Sequence, residues 1–512
     1  MFFHSLFTFS QVNNAVLPDV WLRADSSELN ASCWRDISGH FYNGFPVNDS
    51  MPDSYARMNF NKSFSFPEGE YLTIPGFEFN GKTLTVLIVY QGEDTLNEQS
   101  IWSVRLDSNT KVGLTSQRIL NESGEIKYSD TNRIGGIINS LTQSWKQLSS
   151  NTLVGDVVIG FDDTLSYRGK LAEFILFNND VPDTVLIQYM SYLAIKYGIT
   201  LYQTDYLNSG KVKIWDYTAH PEYSYNIGGL GRDSVLGLYQ KQSFLLEERM
   251  VMGVGSCAPT NEDNYAQMAE GDFIIMGCDS GALKESSVLF MEDGTELTVY
   301  GNCLMEVTGQ TAHNQPLFIQ MDATDWQGDS SKYYLMIDRS GSGNYSLSET
   351  EFYAPDYVDT NGVLYYSEIY WDSDLSGTDI FCFAYIESDS LIVDRNLVAG
   401  GSNPVSSLTN QASNEGKGNL ESEDVNANEQ NTGNSYSLYP NPNQGTFKLT
   451  IHYIKVADVT VKLLTSDGKT LRVMKGKDQQ NYEFEGHISV KGHYLIEVQS
   501  TLENKSFKMI VQ

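Results

Sequence analysis

Along most of this 512-residue chain apolar positions alternate with polar ones, the period of strands that bury one face. The alternation is cleanest near the C-terminus, where Phe447, Leu449 and Ile451 fall on one side and Lys448, Thr450 and His452 on the other. It returns in Val459, Val461 and Leu463, in Tyr494, Ile496 and Val498, and in Phe507, Met509 and Val511, with the turn signals SDGKT and VKGHY between the runs. Ahead of them Pro440 and Pro442 fix φ, Asn441 is pushed to an extended conformation, and Gly445 precedes the first strand. The pattern predicts a stiff entry to a small immunoglobulin-like β-sandwich of about seven short strands over residues 435–512.

The N-terminal part carries many short strand-like runs separated by turn residues, among them VWLRADSS, MNFNKSFSFPEGEYLTIPG, LTVLIVYQG and SYRGKLAEFILFNNDVPD. An all-β sandwich is expected over 15–200. One segment breaks the period: in LIQYMSYLAIKYGIT, Leu186, Tyr189, Met190, Leu193 and Tyr197 recur at helical spacing and Gly198 supplies a C′ residue. It reads as one amphipathic helix closing the first domain, its aromatic stripe a core face. Residues 201–395 keep the β character with a different texture, as in GDFIIMGCDSG and SKYYLMIDRSGSGNYS, and predict a second β-rich domain. Residues 396–434, rich in Ser, Asn, Gly and Glu, cannot bury enough surface to offset ordering and predict a flexible linker. Residues 1–14, MFFHSLFTFSQVNN, read either as the apolar part of a signal peptide without its charged start or as a first core strand.

Charge separates tail from body. The chain has 34 Lys+Arg against 65 Asp+Glu, a net −31; residues 435–512 hold 10 and 7 of these, leaving 24 and 58 for the rest, so a tail of +3 follows a body of −34. Such a body repels nucleic acid and anionic membrane and favours cations. No apolar run reaches the roughly 18 residues of a membrane-spanning helix. Cys33, Cys257, Cys278, Cys303 and Cys382 lack CxxC spacing, which leaves metal and redox motifs unsupported; they read as buried thiols or, in an exported chain, as disulfide partners.

Catalytic spacing is missing. The chain has no His-Glu-x-x-His, no Gly-x-Ser-x-Gly and no phosphate-cradling loop. Cys257 in GVGSCAP would need His220 or His313 as a base, and nothing in the sequence joins them. In MEDGTEL, Glu292, Asp293 and Glu296 surround an Asp-Gly pair that reads as a hairpin turn rather than as a glycosidase carboxylate strand. WDSDLSGTD sets Asp372, Asp374 and Asp379 around a turn at Gly377, oxygen ligands of the kind Ca²⁺ requires, in a loop shorter than an EF-hand and without its terminal Glu; the alternative is a solvated turn. DRSGSGN offers only Asp338.

The stretches LYPNPNQGTF, VKLLTSDGKTL, VKGHYLIEV and KSFKMIVQ, in that order, resemble the type A C-terminal sorting domain of type IX secretion, the outer-membrane export route of Bacteroidota. The resemblance implies the translocon and its processing machinery as partners, passage through the periplasm, and release or attachment at the cell surface with removal of the tail. It also implies a sorting motif of Pro440, Asn441, Pro442, Gly445, Lys491, Gly492, Tyr494 and Lys508, with Lys491, Gly492 and Lys508 on the surface that the translocon reads. VWLRAD and GKLAEFILF resemble the brackets of the laminin-G/concanavalin-A-like jelly roll of surface proteins. The helix followed by IWD, IGGLGRDS and LYQKQS resembles a module that follows this jelly roll, with no activity to carry over. Together these imply an exported, non-enzymatic binding or adhesion protein with a glycan or protein ligand; the alternative is a glycan hydrolase whose carboxylates come from distant strands. Trp21, Trp34, Trp102 and Trp145 are scattered and read as core rather than sugar platforms.

Overall fold

The computed structural model describes residues 16–386 and 435–511, apart from 27–31, 49–50, 80–82, 95, 106–110, 121–123, 134–136, 147–152, 246–248, 280–286, 291–295, 327, 344, 346–349, 440–444, 466–469, 489–491 and 503. Residues 1–14, read as signal segment or first strand, and the expected linker 396–434 lie outside the described residues, as do Glu292 and Asp293. The chain divides into two compact units, Met1–Gln411 and Ala412–Gln512. The architecture is all-β, in antiparallel sheets, with one helix longer than a turn among the described residues.

The first unit begins with a sandwich. Its seven-stranded sheet runs Gly124–Arg133, Ile137–Lys146, Thr83–Gly92, Gly169–Phe177, Asn61–Phe66, Asp53–Met58, with Val20–Arg23 also on Gly169–Phe177. The six-stranded sheet runs Phe45–Pro46, Leu72–Phe79, Leu153–Ile159, Ser100–Arg105, Lys111–Thr115, Ile119–Leu120. Val86, Ile88, Phe174 and Leu176 of the first meet Leu72, Ile74, Trp102 and Ile159 of the second in one core, with Trp34 and Trp145. Their neighbours Leu87, Val89, Ala172 and Ile175 point the other way into a second core. Burial on both faces explains why LTVLIVYQG and GKLAEFILF read as continuous apolar runs instead of alternating ones.

That second core is built on the helix Asp183–Tyr197. It ends as expected, at Gly198 with φ 65° and ψ 38°, the left-handed conformation glycine adopts without cost. It is not one-faced: eleven of its fifteen residues are buried, including Gln188, Ser191 and Lys196. The reason lies beyond it. A second sandwich, with an eight-stranded sheet centred on Phe273–Cys278, Glu296–Thr308 and Thr378–Tyr385, puts Phe273, Ile275, Leu304, Ile380 and Cys382 into the same core. A helix enclosed on all sides loses its polar face.

The opposite face of this sheet closes on the five-stranded sheet Gln242–Leu245, Met250–Val254, Leu317–Asp322, Val363–Ile369, Tyr357–Val358. The core between them is rich in methionine, Met250, Met252, Met276, Met305 and Met321, packed with Trp326 and Trp371; the unbranched thioether fills irregular gaps between large rings. Cys278 and Cys303 sit directly opposite each other on paired strands and form a disulfide, which Cys33, Cys257 and Cys382 do not join.

The second unit is a single core of Phe447, Leu449, Ile451, Val459, Val461, Leu463, Tyr494, Ile496, Val498, Met509 and Val511, the residues singled out by their alternation. Among the described residues it has five strands where roughly seven were expected: Ser435–Tyr439, Thr446–Thr465, Thr470–His487, Gly492–Ser500 and Asn504–Val511. Thr446–Thr465 runs through where two strands were anticipated, because the ladder shifts register between His452 and Val459 and the chain bends without leaving the sheet.

Candidate functional site

Two polar clusters fasten the first sandwich to the rest of its unit. Glu173 interrupts an apolar strand and is fully buried, so its charge must be met by donors. Trp21 Nε1 donates to Oε2 at 2.9 Å; Tyr192 Oη at 2.5 Å, Lys196 Nζ at 2.5 Å and Tyr197 Oη at 3.0 Å all donate to Oε1. Lys196 also lies 2.8 Å from Asp25, which Arg23 grips through Nε at 3.1 Å and a terminal nitrogen at 3.0 Å. The same guanidinium donates to the Gly237 carbonyl of the second sandwich at 3.2 Å. Burial acts to raise the Asp25 carboxyl, but Arg23 and Lys196 outweigh it and hold the group well below the ordinary carboxylate range. Burial, together with the Glu173 charge, pushes the Tyr192 and Tyr197 phenols well above theirs.

The second cluster is the tip of the hairpin between Asp53–Met58 and Asn61–Phe66. Asn59 and Phe60 have φ of 46° and 66°, the turn geometry that joins twisted strands most tightly but that a phenylalanine rarely adopts. The strain is held by contacts. Asn59 Nδ2 donates to the Lys196 carbonyl and to Ser243 Oγ, both at 3.0 Å, and its Oδ1 accepts the Phe244 N–H at 2.7 Å. The Phe60 ring stacks on Phe244, centroids 4.2 Å apart and planes at 9°. Asn261 donates its N–H to the Phe60 carbonyl at 3.0 Å.

Beside this tip opens a cleft of about 250 Å³ between the two sandwiches. Phe60 and Tyr239 supply its rings. Its four ionisable side chains are Asp25, Lys62, Lys241 and Glu262, two of each sign, so the cleft is neutral in a strongly acidic body. Asn61, Thr260 and Asn261 add neutral donors and acceptors. Lys62 and Glu262 pair at 3.3 Å, and Lys241 lies 5.1 Å from the Tyr239 centroid with Arg232 at 4.8 Å. Burial lowers the Lys241 ammonium, against the pull of Glu262 and Asp263.

The proposed calcium ligands are engaged separately. Asp379 is fully buried; its Oδ2 accepts from Arg339 at 2.8 Å and from the Asp372 N–H at 2.6 Å. Asp372 Oδ1 accepts the Gly377 N–H at 2.6 Å, and exposed Asp374 accepts the Ser376 N–H at 3.2 Å. Arg339 thus supplies the positive charge in this loop, and no group of three or more His, Cys, Asp or Glu among the described residues could hold a metal ion. Asp338 accepts from Ser340, Ser342 and Gly343 within its own turn. His220 stands against Trp215, 3.9 Å from Glu306 Oε2, while Cys257 Sγ fills the space where a side chain at Gly253 would go.

In the tail, Gly445 is buried with φ 101° and its carbonyl accepts the Ile488 N–H at 2.7 Å. Tyr494 is a core residue opposite Met509, and Gly492 opens its strand opposite Val511. Lys508 pairs with Leu495 along the ladder. Pro440, Asn441, Pro442 and Lys491 lie outside the described residues. Trp21, Trp34, Trp102 and Trp145 are all buried.

Residues 437–512 match the family described as secretion system C-terminal sorting domain, and residues 186–374 match a domain of unknown function, DUF8202. The chain is therefore a type IX export substrate, delivered to the cell surface or the extracellular space, and its tail interacts with that machinery. No helix among the described residues is long and apolar enough to cross a membrane. DUF8202 begins inside the central helix, at Leu186, three residues into Asp183–Tyr197. No curated protein matches the chain. Solved structures with slight likeness include a calcium-binding mutant of Bacteroides uniformis β-glucuronidase 2 (8% identity, TM-score 0.13, 38% of this chain and 26% of that one). Dimeric latent PorU from Porphyromonas gingivalis (9%, TM-score 0.16, 87% and 32%) and the BSP domain of a biofilm-associated protein (10%, TM-score 0.14, 90% and 80%) are others. The chain thus spans about a quarter and a third of the first two, and likenesses this slight define no shared fold.

Proposed function

We propose that the body is a binding module for an extracellular glycan, presented by type IX export, and that it does no chemistry on its ligand. The observation that carries this reading is the division between acids and cleft. The carboxyl groups that burial raises, Asp130 and Asp379 to about 6 and Glu306 and Asp356 in the same direction, are the ones suited to act as general acids, and none of them lines the cleft. The cleft's own Asp25 is pushed the opposite way and is committed to Arg23 and Lys196. A hydrolase needs a raised acid and a partner carboxylate facing one ligand. The resemblance of VWLRAD and GKLAEFILF to laminin-G/concanavalin-A-like surface domains agrees with a binding role.

The test is affinity electrophoresis of the purified full chain through gels carrying different polysaccharides, paired with a reducing-end assay on the same polymers. Retardation without release of reducing ends is the expected result. Release that persists across purification and scales with protein would establish the hydrolase instead.

A further inference from the structure

We propose that the cleft beside Phe60 is a subsite for a single neutral sugar ring, with Tyr265, three residues past the lining residue Glu262, as an added aromatic platform. This rests on the reading of the protein as glycan-binding and gives that reading a location.

Charge decides the ligand class first. Lys62 and Lys241 line the cleft with Asp25 and Glu262, and the groups behind them, Arg23 and Lys196 on Asp25, Glu173 on Lys196 and Asp263 near Lys241, bring the count to four of each sign, so neither an anion nor a cation gains net attraction there. Hydroxyl groups both donate and accept. A hydroxyl can meet ammonium, carboxylate and amide neighbours alike, and a sugar ring carries several around an apolar face. The volume of about 250 Å³ lies just under the range that holds drug-sized ligands, which suits one ring rather than an extended molecule.

The site is also held in advance. Phe60 cannot swing away, since its backbone is locked in the left-handed region and its ring is stacked on Phe244. The loop that forms the opposite wall is pinned by two asparagines. Asn261 accepts the Lys241 N–H at 2.7 Å and donates to the Tyr239 carbonyl at 2.8 Å. Asn264, 1% exposed, donates to the Ser256 carbonyl at 2.8 Å and accepts the Ala266 N–H at 2.9 Å, while its own carbonyl takes the Lys241 ammonium. Immediately after Asn264, and three residues past Glu262, comes Tyr265, 88% exposed. A large ring on a fixed loop loses little freedom when a ligand stacks on it.

The experiment is a glycan array on the full chain, followed by calorimetric titration of the best-bound glycan into wild type, Phe60→Ala, Tyr265→Ala and Tyr202→Ala. Tyr202 is a second exposed tyrosine, 75% accessible, on a different segment, where its N–H is bonded to Asp130. Expected are losses of about tenfold or more for Phe60→Ala and Tyr265→Ala and none for Tyr202→Ala. Because Phe60 also packs at the hairpin tip, Tyr265→Ala is the deciding variant: its side chain is exposed, so its melting temperature should stay at the wild-type value. Glycan bound with undiminished affinity by Tyr265→Ala and Phe60→Ala overturns the subsite and leaves the glycan reading standing. An array on which wild type binds nothing overturns both.

Discussion

Asn59 Oδ1 accepts the main-chain N–H of Phe244 at 2.7 Å, so a side chain from the first sandwich completes the backbone bonding of a strand in the second. Replacing it with alanine strands that buried N–H, at about 1–3 kcal/mol, and leaves a β-carbon at φ 46°, a conformation that alanine adopts less readily than asparagine. Asn59→Gly loses the bonds but not the conformational fit. Thermal unfolding should therefore rank wild type above Asn59→Gly and Asn59→Gly above Asn59→Ala; equal melting points would show that the tip is not fastened this way.

Lys196→Met should be among the most damaging single changes, because it leaves Glu173 charged and buried with neutral donors only, a loss of about 3–5 kcal/mol. Adding Glu173→Gln removes the orphaned charge and should restore part of the stability. Urea titrations of the two variants and the double variant measure this; a double variant less stable than Lys196→Met would contradict it.

Burial raises the Asp130 carboxyl to about 6, against the pull of the Tyr202 N–H that it accepts at 3.0 Å. An acid whose folded pKa lies above its unfolded one binds more protons when folded, so its contribution to stability is greatest below about 4 and falls as pH rises through about 6. Asp130→Asn keeps an acceptor for Tyr202 and removes the charge. It should leave the melting temperature unchanged at pH 4 and raise it at pH 7.5, by up to about 3 kcal/mol in free energy. A rise of the same size at both pH values would assign the effect to packing.

The Cys278–Cys303 bond spans 25 residues of sequence, a loop whose closure is worth about 3 kcal/mol. Reductant should lower the melting temperature of the wild-type protein and leave that of Cys278→Ala/Cys303→Ala unmoved. Mass spectrometry of the alkylated, unreduced protein should find Cys278 and Cys303 unlabelled.

Deleting 435–512 should trap the protein in the periplasm of its native host, and Gly445→Val, which forces a branched side chain to φ 101° in a buried position, should lower surface yield by unfolding the tail. Fractionation with an antibody to the body reads both. Normal surface amounts of the deletion variant would separate the tail from export.

Much of this was legible in one dimension. The alternation at Phe447, Leu449 and Ile451 marks the tail core, and Gly198 marks the helix end, because side-chain period and left-handed φ are local properties. The continuous run LTVLIVYQG announces two buried faces, without saying what covers the second. Only the tertiary structure decided that. It enclosed the helix between sheets so that a stripe expected to be one-sided is buried nearly all round, and it joined strands from residues 20 to 386 into one compact unit. It also set Arg339, in the turn after the strand Tyr333–Asp338 and forty positions from Asp379, on the Asp379 carboxylate in the acidic loop of Asp372 and Asp374. The clue to the seam was present as two charges inside apolar runs, Glu173 in LAEFILF and Lys196 in YLAIKYG, yet nothing local says that they face each other. Pairing of buried charges, the placement of Asn59 against Phe244 and the opening of the cleft all depend on long-range packing, whereas strand period, turn chemistry and the tail's charge are written residue by residue.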